Sequence, residues 1–344
     1  MNTVKHCLTF IFTALLFLQI NFSVANLDED FLYSVKKNDT VWGICKSYVN
    51  DPLCWKKLTA YNALENPKYL PPKSIIRIPK SWLNSHPTTA LVIAVEGKVL
   101  VMRQGAQQST DLRVGDQLKQ EDSVSALNGT AMIKFADESR LLLKSNSTIR
   151  MSTLQFYDPT QLVNTRVELL KGRVRAQVEK VTNADSRYEI ETPAAVAAVR
   201  GTEFRVGSDV DAKGKALMRT ELLTGALLVS SSSNAQGLSA GEAVMAVEGK
   251  GVSEPVKLLP PPGMIINGAR SFQLPYKLKW QPLDKAVSYK VNLVQNGQEL
   301  FERSTKETHI SLQGLASGKF EILIRGIDKQ GFEGRNRQVK INIP

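Results

Sequence analysis

The residues that could do covalent chemistry are few and far apart. Nucleophilic catalysis by serine or cysteine needs a histidine within reach of the nucleophile, and the chain has three histidines, His6, His86 and His309. His6 precedes an apolar run, His86 lies among Ser, Asn, Pro and Thr, and His309 stands in an alternating strand pattern. Asp209-x-Asp211 opens like a calcium loop, but Lys213 and the missing terminal Glu break the pattern. Paired carboxylates could cleave a glycosidic bond wherever an Asp and a Glu converge, yet spacing singles out no pair. The reading is a non-enzymatic protein, without cofactor or metal, whose function rests on recognition.

Location follows from the first residues. Lys5 and His6 precede an apolar run from Leu8 to Ile20, and Ser23-Val24-Ala25 gives a small-x-small cleavage pattern. Residues 1–25 therefore read as a signal peptide cleaved after Ala25, and the protein as periplasmic. The run is shorter than the ~20 residues of a membrane span, so no span is expected after cleavage. Cys7 leaves with the leader. Cys45 and Cys54 remain, an even count consistent with a disulfide in an oxidising compartment.

Local signals mark residues 31–80 as one small module. Phe31 to Val35 is extended, and in the polar turn Lys37-Asn38-Asp39-Thr40 either Asp39 or Thr40 can cap a helix. Val41, Ile44, Cys45 and Tyr48 follow at i, i+3, i+4, i+7, one apolar helical face. Asp51-Pro52 starts a second helix with an N-cap acid and a proline at the first helical position; Trp55, Leu58 and Tyr61 or Asn62 mark its buried side. A loop through Asn66-Pro67 and Pro71-Pro72 leads to Ile75, Ile76 and Ile78, a β-branched run closed by Pro79. So short a unit buries little surface, and a staple between Cys45 and Cys54 would help. Closing that loop would contribute roughly 2–3 kcal/mol. Two buried free thiols are the alternative; zinc would need further ligands.

The segments YSVKKNDTVWGIC, W-x-x-L-x-x-YN and LPPKSIIRIP closely resemble a LysM module, a domain that binds peptidoglycan and chitin. In that family an N-acetylglucosamine-containing glycan lies in a shallow groove between the turn opening the first helix and the loop leaving the second. The resemblance puts Asn38, Asp39, Thr40 and Val41 on one lip and Tyr61, Asn62, Leu64, Leu70 and Pro71 on the other. The sequence departs from the family at Asn38, where glycine is usual, and at Pro72-Lys73, where Pro-Gly is usual.

Residues 81–89, rich in Ser, Asn, His, Pro and Thr, read as a linker, and Pro260-Pro261-Pro262-Gly263 makes 257–263 a stiffer one. Between them, 90–256 lacks helical periodicity. VEGKVLV from Val95, LKGRVRA from Leu170 and LTGALLV from Leu223 repeat one short unit, and LRVGDQL from Leu112 and LSAGEAV from Leu238 repeat another. Gly97, Gly172 and Gly225 would bend strands, and Gly115 and Gly241 would turn them. With period-two faces such as Ala131, Ile133 and Phe135, this is an all-β domain of stacked strand–turn units. Its stretch from Ile190-Glu191-Thr192-Pro193 through AAVAAVRGTEF at Ala194 to Phe204 resembles the FecR domain, named for a periplasmic iron-dicitrate sensor. One departure is Asp137-Glu138-Ser139, where Asp-Gly-Ser is usual. The sensor itself has a sigma-factor-contacting tail and a membrane span ahead of the domain; the sequence shows neither, and anti-sigma activity is not carried over. In the motif Arg200, Gly201, Thr202, Glu203 and Phe204, a recognition surface and a structural ion pair are alternatives, the latter favoured.

Residues 264–344 read as a β-sandwich of short alternating runs with Trp280, Tyr289, Leu315 and Phe320 in its core, resembling fibronectin type III-like domains. The expected architecture is thus multidomain and mainly β: a small βααβ module, a central all-β domain and a C-terminal sandwich. Net charge is +11. Lys+Arg against Asp+Glu is nine to six over 26–89, twenty to twenty over 90–256 and fourteen to seven over 257–344, so the excess sits mostly in the sandwich. No basic run with interleaved aromatics points to nucleic acid. The sequence therefore reads as a periplasmic scaffold tethered to peptidoglycan, with an envelope protein as second partner. A regulator acting through a separate membrane protein and a peptidoglycan hydrolase are the alternatives.

Overall fold

The computed structural model describes residues 30–158, 160–179, 186–199, 201–265, 274–295 and 298–344; the leader at 1–25 and Arg200 of the central motif lie outside the described residues. Two short helices precede a long succession of strands. The first strand, β1 (Asp30–Ser34), pairs antiparallel with β2 (Ile75–Pro79), Asp30 opposite Pro79 and Ser34 opposite Ile75. Between them run α1 (Val41–Tyr48) and α2 (Cys54–Tyr61). Thr40 Oγ1 accepts from the Gly43 N–H at 3.0 Å and caps α1. Val41, Ile44 and Cys45 of α1 pack with Leu58, Ile76 and Ile78. A disulfide joins Cys45 to Cys54.

Two local expectations change. Asp51 does not cap α2 directly: its Oδ1 accepts from the Leu53 N–H at 2.8 Å, forming a turn, and the helix begins at Cys54. Trp55, expected inside, is exposed, because Cys54 and Leu58 take the inward face of so short a helix.

Strands from Ser85 to Lys257 close into a barrel built of two joined sheets. The recurring glycines sit at its corners. Gly97 lies between Ala90–Glu96, which pairs with Thr130–Lys134, and Val99–Met102, which pairs with Ser123–Ala126 in the other sheet. Gly225 makes the same passage between Ala216–Thr224 and Ala226–Ser230. Gly172 sits inside the long strand Leu162–Gln177, whose first half pairs with Ser147–Tyr157 and whose last residues pair with Arg140–Leu143 and Glu203–Val210. At Gly172 φ is +88°, and a Cβ would lie 2.3 Å from Ser147 Oγ, so only glycine makes this corner.

The stretch 81–89, expected to be a linker, is structured throughout: Leu83 packs in the core of the first module with Trp82 against it, and the next residues join the barrel. Ser85–Pro87 pairs with Gln155–Tyr157, and the His86 ring lies 5.4 Å from that of Phe156. The proline-rich stretch is also held: Leu258 N donates to Gly241 O and Gln281 N to Gly263 O. Beyond it, strands Met264–Ile265, Tyr276–Trp280 and His309–Leu312 form one sheet, and Gln298–Thr305, Ala286–Gln295, Gly318–Asp328 and Arg337–Ile343 form the other. Trp280, Tyr289 and Phe320 lie in the core between them, with Leu315 packed against it.

Barrel and sandwich meet through two charged sheet faces. Val174, Ala176, Phe204 and Val206 point into the barrel, so strand alternation turns Arg173, Arg175 and Arg205 outward. Register carries that face across strands, Leu142 beside Arg175, Arg175 beside Arg205, and Arg205 beside Glu221. Against it stand Lys290, Glu302, Arg325 and Glu333 of the sandwich. Arg173 reaches Glu333, Lys144 reaches Glu302 at 2.8 Å, and Arg205 donates to the Glu333 and Gly334 carbonyls. Phe332 packs into a small apolar cluster with Ala243 and Leu258.

Candidate functional site

The turn opening α1 is tightly braced. Asp39 Oδ2 accepts from the Tyr33 hydroxyl and from the Lys36 N–H, each at 2.7 Å. Burial, then the Asp39 hydrogen bond, pushes the Tyr33 phenol above its usual range. Asn38 takes φ +70°, a left-handed conformation that asparagine tolerates. Val41 is fully buried, and its N–H donates to Pro67 O at 3.1 Å. That bond ties the first lip directly to the loop leaving α2. Lys73 also adopts φ +70°, so the turn keeps the glycine-type backbone without glycine, its N–H reaching Val35 O at 2.8 Å.

The structure brings together only part of the nine residues assigned to the groove. Asn38 and Pro71 are exposed on facing loops, with Asp39 and Thr40 half-buried between them. Leu70 is buried and Leu64 half-buried, both against the module's core. Tyr61 and Asn62 lie elsewhere. Asn62 is used up by the fold: its amide donates to Leu58 O and Arg77 O, and its Oδ1 accepts from Arg77 N. The Tyr61 hydroxyl donates to Asp30 at 2.9 Å, and its ring lies 5.5 Å from that of Trp82. Asp30 and Ser34 end opposite sides of β1, roughly 13 Å apart by strand rise, so Tyr61 sits at the end toward the barrel. There it lines a cleft of about 370 Å3 with Tyr157, Asn164 and Arg187.

The aromatic surface available near the lips comes instead from Tyr69, 69% exposed in the loop between Pro67 and Pro71, and Trp42, 63% exposed on the first turn of α1 with Lys46 Nζ 5.5 Å from its ring centroid. The sequence signal for Tyr69 was a ring between prolines, outside any helical face that could bury it.

In the central motif Thr202 and Phe204 are buried, whereas Glu203 takes both Nε and Nη2 of Arg175. Glu203 thus forms an ion pair with Arg175 of the neighbouring strand; the expected pairing with Arg200 lies outside the described residues. Gly201 O sits 2.7 Å from the position a Gly225 Cβ would occupy. Glu138, where the family carries glycine, holds φ +65° and leaves the Asp137–Ser139 turn intact, Ser139 N donating to Asp137 Oδ1 at 3.1 Å.

At the barrel–sandwich interface the charges shift one another. Burial alone would raise Glu302, but Lys144, Lys290 and Arg325 hold it down at about 2. Burial likewise opposes ionised Glu333, and Arg325, Arg173 and Lys290 hold it well below the usual range. Burial and then Arg325 lower Arg205 to about 10. Among the described residues no cluster of His, Cys, Asp and Glu could hold a metal, and no helix is long and apolar enough to cross a membrane.

Residues 33–79 match the LysM domain family and residues 121–228 match the FecR protein family. No curated protein matches the chain. Among solved structures, it is similar to a protein described as an anti-sigma factor from Parabacteroides distasonis, at 17% identity and TM-score 0.32 over 39% of this chain and 59% of that one. It is also similar to the extracellular domain of a hybrid two-component system from B. thetaiotaomicron, at 10% identity and TM-score 0.20, over 62% of this chain and 42% of that one. The chain thus spans 59% of the length of the first and less of the second.

Proposed function

We propose that this protein is a non-catalytic periplasmic scaffold whose LysM segment holds it to peptidoglycan while the FecR-type barrel engages another envelope component. The observation that carries the reading is the joined pair of lips: the Val41–Pro67 backbone bond fixes the capped turn beside a loop that presents Tyr69 to solvent. A flat, exposed ring beside polar Asn38 and Asp39 suits a sugar, which offers an apolar face and hydroxyls at its edge. The barrel end of the module, where Tyr61 is bonded to Asp30, is given to domain contact rather than glycan.

The test is pelleting of the purified protein with peptidoglycan sacculi, wild type against Tyr69→Ala. Tyr69 is mostly exposed, so its loss should leave the fold alone and weaken pelleting severalfold. Unchanged pelleting by Tyr69→Ala and Trp42→Ala together would remove the groove assignment. Release of soluble muropeptides by wild type would replace the scaffold with the hydrolase reading.

A further inference from the structure

The two charged faces do not close along their whole length. At one end they diverge into a cleft of about 420 Å3, within the usual size of a small-molecule site and at a domain boundary, where such sites concentrate. Its floor is apolar and half-buried: Met132 and Leu142 from the barrel, paired side by side across strands, and Val294 and Leu323 from the sandwich. Its walls are polar. Arg140, Gln177, Glu321 and Gln338 line it, and their side chains make no hydrogen bond or ion pair among the described residues. This contrasts with the closed end, where Arg173, Lys290, Arg325 and Glu333 are all paired.

Charge in the cleft is mixed, Arg140 and Arg175 lining it with Glu96, Glu299 and Glu321. Lys144, Arg173, Arg205, Lys290 and Arg325 at the closed end face Glu221, Glu299, Glu302 and Glu333, five cations to four carboxylates. Arg175, on the cleft wall, spends Nε and Nη2 on Glu203 of the FecR motif and keeps Nη1 without a bonded partner among the described residues. Arg140 adds an exposed guanidinium at the mouth. A ligand carrying both signs can set its carboxylate between the Arg140 and Arg175 guanidiniums and its ammonium on Glu321, since Glu299 is already held by Lys144. Amides at Gln177 and Gln338 can both donate to and accept from peptide groups.

We propose that this cleft binds a short extended peptide carrying a free carboxylate and an amine, its carboxylate on Arg140 and Arg175 and its amine on Glu321. Given the peptidoglycan tether, on which this choice of ligand rests, the peptide is a cell-wall stem. Glu203 then acts as a positioning residue that aims Arg175.

The experiment is calorimetric titration of the full mature chain with a synthetic stem pentapeptide free of sugar, in acid-terminated and amide-terminated forms. A separate titration with an N-acetylglucosamine oligomer reports on the LysM groove. The acid form should bind, with the amide form, Arg140→Gln and Glu321→Gln each weaker by about tenfold, the loss expected for one charge-assisted hydrogen bond. The Arg140 and Glu321 side chains make no hydrogen bond or ion pair among the described residues, so these variants keep the fold intact. Equal binding of acid and amide forms would overturn carboxylate recognition, and absent peptide binding would overturn the site. If the sugar oligomer binds and the peptide does not, the cleft assignment falls and the tether stands; the reverse result removes the tether and keeps the cleft.

Discussion

Replacing Glu333 by glutamine should separate the sandwich from the barrel energetically. Glu333 is 1% exposed and takes Arg325 Nε at 2.5 Å, Lys290 Nζ at 2.6 Å and Arg173 Nη1 at 3.2 Å. Glutamine keeps the shape and removes the charge, leaving five cations, Arg205 and Arg325 among them buried, against three carboxylates. Removing one partner from a buried ionic cluster costs about 3–5 kcal/mol, since the cations left behind have lost their hydration as well. At about 2–4 °C per kcal/mol for domains of this size, calorimetry should show the transition lowered by roughly 10 °C. Salt should restore little of it, because buried pairs are poorly screened. The comparison is Asp111→Asn, which breaks the exposed Lys98–Asp111 pair, 53% and 58% exposed, and should cost under about 1 kcal/mol. A Glu333→Gln transition within about 2 °C of the Asp111→Asn one would refute the claim that the ionic faces hold the two domains together.

Three further outcomes follow from particular residues. Glu302 has a folded value of about 2 against its usual 4.5, so its contribution is complete above pH 4.5 and lost as pH falls toward 2. That contribution is on the order of 3 kcal/mol; acid titration of stability should steepen in that window, and Glu302→Gln should flatten it. Glu138→Gly should stabilise the barrel by about 1 kcal/mol, measured by denaturant midpoint, because Glu138 sits at φ +65° where glycine has no Cβ clash. Its exposed pair with Lys134 loses little; an unchanged or lower midpoint would show that the turn tolerates glutamate freely. Replacing Cys45 and Cys54 together by serine should cost roughly 2–3 kcal/mol and lower the melting of the module ahead of the barrel, with equal melting of both refuting an independent role for the bridge.

Much of this protein is written locally. The i, i+3, i+4 pattern of Val41, Ile44 and Cys45 specifies α1, because one turn of helix needs only its own neighbours. The recurring glycines announce the barrel corners, because a left-handed φ beside another strand admits no side chain. Cys45 and Cys54, close in sequence, likewise suffice to suggest the disulfide. The LysM and FecR likenesses rest on such local patterns. What tertiary structure decided was which surfaces meet. Arg173, Arg175 and Arg205 alternate with apolar residues and, read along the strand, face water. The structure instead sets Arg173 against the Glu333 carboxylate and Arg205 against the Glu333 carbonyl, over a hundred residues downstream in the sandwich. In the same way Tyr61, one helical turn beyond Leu58, was assigned to a sugar groove and is instead bonded to Asp30 at the barrel contact. Alternation fixes which side of a strand a residue occupies, because backbone geometry sets it. What covers that side depends on pairings between distant segments, and a linear pattern holds no record of them.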